Sequence, residues 1–327
     1  MDAWVTILIA AGSVYGAMAL GAGCRRWGLI KPEGDRTLLR LIVQVGFPCL
    51  ILHVIVGNPA LREGQNVWAP PLAGFVSVCV GYAVGMLAGG LMGRAMGLED
   101  PRARRTFAVC VGLFNYGYIP YPLVEQLYRE PEEMRRTMGV LVVHNMGVEV
   151  AMWSVGVLLM SGTLGRGWWR RVLNPPVLAI LGAWGCNLVG LDRRHPALSP
   201  VFAALELVGQ IAIPLGLLLV GASLADQWSP RVLGSGRRTS LAGCVLRLGV
   251  LPAMALGAVT VCRGASVELQ RVMVIQAAMP AALFPIVLAR LYGGDTLVAL
   301  RVVLATSLVS TVTTPLWLPL GLSLVRG

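Results

Sequence analysis

Charge is scarce in this sequence: Asp, Glu, Lys and Arg make up 13% of 327 residues against 56% hydrophobic, and Lys31 is the single lysine. A water-soluble fold has too little polar surface here to cover so much apolar content. Paired cysteine motifs are missing as well. Cys24, Cys49, Cys79, Cys110, Cys186, Cys244 and Cys262 stand singly in or beside apolar runs, with no CxxC pair and no histidine at metal spacing. They read as small core residues, and neither a metal nor a cofactor is expected. No Gly-rich loop with the phosphate-cradling pattern occurs, which excludes a nucleotide-driven pump. No Lys or Arg precedes Arg25, so the first apolar run lacks the basic leader of a signal peptide and is expected to stay in the mature chain.

What the chain does have is long uncharged runs. Trp4 to Cys24, Trp68 to Gly93, Val172 to Leu191, Leu207 to Ala225 and Val302 to Val325 each approach or exceed the ~20 residues that a helix needs to cross a bilayer. Membrane strands would read as segments of about 10 residues with alternating polarity, which these runs do not show. The fold class is therefore an all-α polytopic membrane protein. Ten transmembrane helices account for the pattern, near 4–24, 38–57, 68–93, 104–128, 137–161, 172–191, 204–225, 239–262, 270–291 and 296–325. The net charge of +11 would point to nucleic acid in a soluble chain, but the arginines cluster between apolar segments, where membrane topology explains them. Seventeen basic residues fall on one side of this arrangement and nine on the other. Basic loops stay cytoplasmic, so both termini are expected on the non-cytoplasmic side, in a cytoplasmic (inner) membrane.

The sequence also repeats itself. Gln44 to Pro48 reads QVGFP and Gln210 to Pro214 reads QIAIP, at an offset of 166; Leu127-Tyr128 and Leu291-Tyr292 each close a proline-containing apolar run, at an offset of 164. Residues 1–165 and 166–327 then form two five-helix repeats, and an odd number of spans per repeat makes the second inverted.

Two of the ten spans should not be continuous. The fourth contains Phe114-Asn115-Tyr116-Gly117-Tyr118-Ile119-Pro120-Tyr121-Pro122, in which two prolines remove backbone donors and Gly117 permits unusual dihedrals. The ninth contains Gln276, Met279, Pro280 and Pro285 in similar order. Such breaks are either kinks in structural helices or, because unpaired backbone groups at membrane depth persist where protein or a wet cavity satisfies them, a binding site at the midplane.

The stretch from Asn115 to Pro122, the Met279-Pro280-Ala281-Ala282 stretch and the two Gln-x-x-x-Pro segments resemble the auxin efflux carrier family over essentially the whole chain. The resemblance implies inverted five-helix repeats in which broken fourth and ninth helices cross at the site. It implies a scaffold near 4–57 and 172–225 and a moving, elevator-like transport domain near 68–161 and 239–325. Members export auxin or move small organic acids such as malate. The short connection between the halves, Gly162 to Arg171, looks like a prokaryotic-type member. Asn115 and Pro280 correspond to site residues of that family, with Tyr116, Gly117, Tyr118, Pro120, Asn145 and Met279 beside them.

Polar side chains inside spans are costly and hence candidates for function. Asn145 and Glu149, four residues apart, share a face of the fifth span, with His144 adjacent. Glu149 could load and release a proton, or could make a structural hydrogen bond or an ion pair, the latter with Arg247 at similar depth. Gln44 and Gln210 could bond the carbonyls that Pro48 and Pro214 leave without a donor, or could touch substrate. The expectation is a secondary transporter of a small organic anion, uniport or proton-coupled, possessing the lipid bilayer as partner and homodimerising, without nucleic acid. A sodium-coupled symporter of the bile acid symporter type is the first rival. An intramembrane enzyme is the second, but Glu149 and His144 lack the Ser, Asp or metal partners of a catalytic constellation.

Overall fold

A computed structural model describes residues 3–162, 167, 169–191, 196–227, 236–261 and 264–325. Cys262, the repeat boundary at 165/166, and Arg166, Arg193, Arg194, Arg231, Arg263 and Arg326 of the charge balance lie outside the described residues. Within them the chain is helical: α1 (Ala3–Arg26), α2 (Asp35–Leu41), α3 (Phe47–Ile55), α4 (Gln65–Met92), α5 (Pro101–Gly112), α6 (Pro120–Leu127), α7 (Pro131–Ala151), α8 (Val157–Ser161), α9 (Trp169–Val172), α10 (Pro175–Leu188), α11 (Ser199–Gly209), α12 (Ala212–Gln227), α13 (Arg237–Val245), α14 (Leu251–Val261), α15 (Val267–Ala277), α16 (Phe284–Tyr292) and α17 (Thr296–Leu322). Wide π-turns join α2 to α3 (Ile42–Gly46), α7 to α8 (Met152–Gly156) and α13 to α14 (Leu246–Val250). Such turns absorb one extra residue per helix and re-aim the side chains beyond them.

Seven helical rods among the described residues are long and apolar enough to cross a bilayer: Trp4–Arg26, Pro32–Ile55, Gln65–Met92, Pro131–Ser161, Ser199–Gln227, Arg237–Val261 and Thr296–Leu322. The remaining expected spans are the shorter α10 and two interrupted pairs, α5 with α6 and α15 with α16. Length alone therefore accounts for seven of the ten. Large apolar side chains lie outside the bundle, Leu87, Leu91, Leu188, Leu207 and Val261 among them, each more than half exposed. In water such a surface would aggregate; in lipid it is the solvated face.

Local chemistry sets several helix starts. Asp100 accepts from the Ala103 N–H at 2.6 Å, Asn174 from Val177 at 3.0 Å, Ser266 from Leu269 at 3.2 Å, and Asp295 from Leu297 and Val298 at 2.9 and 3.0 Å. Each cap fills a donor that the first turn leaves open. Glycine sets the closest approach. A Cβ on Gly147 would fall 1.8 Å from the Pro71 carbonyl oxygen, and one on Gly74 would fall 2.2 Å from that of His144, so α4 and α7 touch backbone to backbone. Around them, α4 also packs on α5, α15 on α7 and α14, and α13 on α17, while α1 packs on α12 and α3 on α10 and α11.

The repeated QxxxP segments correct one expectation. Gln44 and Gln210 are exposed and neither side chain forms a hydrogen bond among the described residues. Their amides are not needed. The turn before Pro48 is already widened, with the Phe47 N–H reaching back to Ile42, and Pro214 falls in the first turn of α12, where a backbone donor has no intrahelical partner.

Candidate functional site: the meeting of two helix breaks

The prolines act at the restarts of the broken helices. α5 ends when Leu113 turns extended, and α6 resumes with Pro120 as its first residue; α15 ends at Ala277, and α16 resumes at Phe284 with Pro285 in its first turn. Proline is pre-set for those positions because its missing N–H would have no partner there. Pro122 follows within the first turn of α6. Between the half-helices the two extended segments run antiparallel, bridged at Phe114 and Ala281. The Asn115 N–H donates to the Pro280 carbonyl at 2.8 Å and the Ala282 N–H to the Leu113 carbonyl at 2.9 Å. Backbone groups freed by one break are thus paired by the other, as a low-dielectric interior requires.

Side-chain amides complete the first break. The Tyr116 carbonyl accepts from Asn145 Nδ2 at 2.7 Å and from Gln276 Nε2 at 3.2 Å. Gln276 Nε2 also donates to Asn145 Oδ1 at 2.9 Å, and Asn145 Nδ2 to the Tyr121 hydroxyl at 3.1 Å. Asn145 of α7 therefore ties both broken helices together. Asn115 Oδ1 accepts from the Ile119 N–H at 3.4 Å, whereas its Nδ2 makes no hydrogen bond among the described residues. Gln276 Oε1 is enclosed and likewise has no partner. Among the described residues, the Asn115 amide N–H groups and Gln276 Oε1 are left over at the junction.

The second break is closed differently. Arg247 of the π-turn after α13 donates from Nε to the Met279 carbonyl at 2.9 Å and from Nη2 to those of Ala277 and Gln276 at 3.0 and 3.2 Å. On α17, Thr314 donates to the Ala278 carbonyl at 3.0 Å and Thr306 accepts from the Ala281 N–H at 3.3 Å. Met279 and Pro280 are buried at the junction.

The structure separates Glu149 from Arg247, which corrects the ion pair considered from depth alone. Glu149 Oε1 accepts from the Tyr116 hydroxyl at 2.5 Å, and Oε2 from Asn174 Nδ2 at 2.9 Å and Trp153 Nε1 at 3.0 Å. Glu149 reaches Asn174, the cap residue before α10, whereas Arg247 bonds carbonyls at and beyond the end of α15. His144 is buried beside the Phe114 ring, 6.4 Å between centroids, with a single 3.4 Å contact to Asn145.

Two expected residues differ from the rest in their local setting. Tyr118 turns from the junction and packs on Phe47, centroids 5.7 Å apart, over Gly216, whose Cβ would meet its ring at 2.3 Å. Gly117 does not occupy the left-handed region. Asn115, Tyr116, Asn145, Met279 and Pro280 do converge. Sequence reasoning missed Gln276 as a partner of Asn145, and missed Asn174, Thr306 and Thr314; an Asn directly before Pro175-Pro176 was a legible cap signal, but the hydroxyls on α17 carry none.

The sequence matches the family described as membrane transport protein over residues 6–167 and 163–318. It is also 26% identical over 317 residues to an uncharacterized transporter of Methanothermobacter thermautotrophicus, covering 93% of this chain and 95% of that one.

Proposed function

Since the chain belongs to the membrane transport protein family, that of the auxin efflux carriers, we propose that it is a secondary carrier, not a catalyst, moving a small organic anion through the junction of the two breaks by uniport or with protons. The observation that carries this reading is the pairing of the extended segments at Phe114 and Ala281, because paired breaks in two helices at membrane depth are the form that carrier binding sites take. The half-helices α6 and α16 begin there, and helix N-termini favour negative charge. Asn115 Nδ2, without a partner among the described residues, can donate to a carboxylate.

The same reading takes ten spans in two inverted repeats, with α5 to α6 and α15 to α16 crossing. The moving part comprises α4 to α8 and α13 to α17, against a scaffold of α1 to α3 and α10 to α12. A cavity of about 210 Å³ between α1, α12 and α17, lined by Tyr15, Met18, Leu224 and Leu304, supports a slip surface between them. Glu149 bridges the two parts through Asn174, which suits a carboxylate whose protonation state follows the transport cycle. The basic-residue balance supports termini outside in an inner membrane; reporters fused after Arg104 and after Gly327 should then read opposite compartments, and one shared compartment would refute it.

Uptake of radiolabelled mono- and dicarboxylates into proteoliposomes, with and without proton and sodium gradients, tests the reading. Uptake of at least one acid is expected, and no uptake of any would sink it. Glu149→Gln should abolish the pH dependence of uptake and leave exchange intact; retention of both would make Glu149 structural.

A further inference from the structure

Arg247 is the buried charge for which the transport reading has no use. It is 3% exposed, and its partners are backbone carbonyls, with no carboxylate among the described residues paired to it. An unpaired charge so placed is costly, so something must compensate it. What surrounds it is negative in a different form. Nη2 bonds the last carbonyls of α15, at Gln276 and Ala277, Nε bonds Met279 just beyond, and Nη1 reaches Val111 near the end of α5 at 3.5 Å. The guanidinium also lies 5.0 Å over the Phe114 ring, whose face is electron-rich. A helix C-terminus carries about −0.5 of an elementary charge, so two of them present about −1 to one fixed +1.

In carriers with discontinuous helices, unwound carbonyls and half-helix C-termini are the groups that coordinate a coupling cation. Here they are already taken. We propose that Arg247 is a tethered cation, filling the carbonyl cage at the ends of α5 and α15 where a sodium ion would otherwise bind. The negative ends are neutralised permanently. The positive ends, at the starts of α6 and α16, are then free to draw an anion without a sodium ion entering first. The proposal rests on the junction being the transport site, but it fails separately, because its test reads cation binding and not transport.

The measurement is thermal unfolding of the purified chain in sodium chloride against choline chloride at equal ionic strength. The wild-type midpoint should be the same in both. Arg247→Gln keeps a hydrogen-bonding side chain and removes the charge. Its midpoint should fall, and sodium or millimolar methylguanidinium should restore roughly 2 °C or more relative to choline. Arg247→Lys, which keeps the charge, should fold and remain indifferent to sodium. A wild-type midpoint raised by sodium would overturn the proposal, since the cage would then be vacant. So would a folded Arg247→Gln that responds to neither cation. If Arg247→Gln does not fold, Arg247→Lys decides: folding without added cation upholds the role of the charge, and failure like that of Gln assigns the role to the shape of the guanidinium fork and refutes it. If uptake is absent while the cation response appears, the transport reading fails and this one stands.

Discussion

The two helix breaks face the same physical problem and solve it with different chemistry. At the first, Asn115 to Tyr118, neutral amides from Asn145 and Gln276 bond the freed carbonyl of Tyr116, and Tyr116, Gly117 and Tyr118 stay partly exposed. At the second, every residue from Gln276 to Ala282 is buried, and a guanidinium and two hydroxyls occupy the backbone groups. Amides carry both donors and acceptors, so the first repair leaves hydrogen-bonding capacity unused at Asn115 Nδ2 and Gln276 Oε1. Arginine only donates, and at the second break its Nε and Nη2 donors go to three carbonyls. On the proposed carrier reading, the first break keeps groups free for a ligand and the second holds its shape.

The largest expected effect separates these roles at the first break. Asn115→Ala removes a donor to a charged group, worth about 1.5–3 kcal/mol, and should weaken binding of the transported anion about 10- to 150-fold. Asn115→Asp should bind more weakly still, since it loses the donor and repels the anion. Calorimetry on purified, folded variants decides it. Unchanged affinity in both would remove Asn115 from the site and erase the contrast between the breaks.

At the second break the corresponding changes should cost stability and spare binding. Thr314→Val leaves the Ala278 carbonyl without its donor, and Thr306→Val leaves the Ala281 N–H without its acceptor; each unmet buried group costs about 1–3 kcal/mol. The thermal midpoint of each variant should drop by a few degrees while anion affinity stays within about twofold of wild type. A tenfold loss of affinity at unchanged stability would mean that α17 contributes to recognition and that the second break also reads the ligand.

How much of this was legible follows from what each signal depends on. Seven long spans were legible because a bilayer imposes length and apolarity on a continuous stretch, and the breaks because Pro120, Pro122, Pro280 and Pro285 announce them locally. The convergence of Asn115 with Asn145 was half-legible, since burial in hydrocarbon leaves few tasks for an amide. The partners of Glu149 and Arg247 were not. Depth along a helix follows from counting residues, but the direction a side chain faces depends on rotation about the helix axis. The π-turn at Leu246–Val250 alters that rotation at Arg247 itself. The same ignorance of local winding made Gln44 and Gln210 look like hydrogen-bond donors to their own helices.

Gly117 gives the smallest expected effect and the sharpest check on the first break. A glycine between two tyrosines in a broken helix suggests a backbone that only glycine can adopt, yet its φ is not among the positive ones. A Cβ there would find Tyr121 Cε2 at 3.7 Å and Phe47 Cζ at 4.0 Å, ordinary contact distances. Gly216 is the counter-example, since its Cβ would strike the Tyr118 ring at 2.3 Å. Gly117→Ala should therefore change stability by no more than about 0.5 kcal/mol, as substitutions in unstrained, uncrowded positions do. Thermal unfolding and uptake together are informative. Unchanged stability with uptake lost would mean that the segment from Tyr116 to Tyr118 must pass through a left-handed conformation in another state of the transport cycle, making the half-open break a moving part.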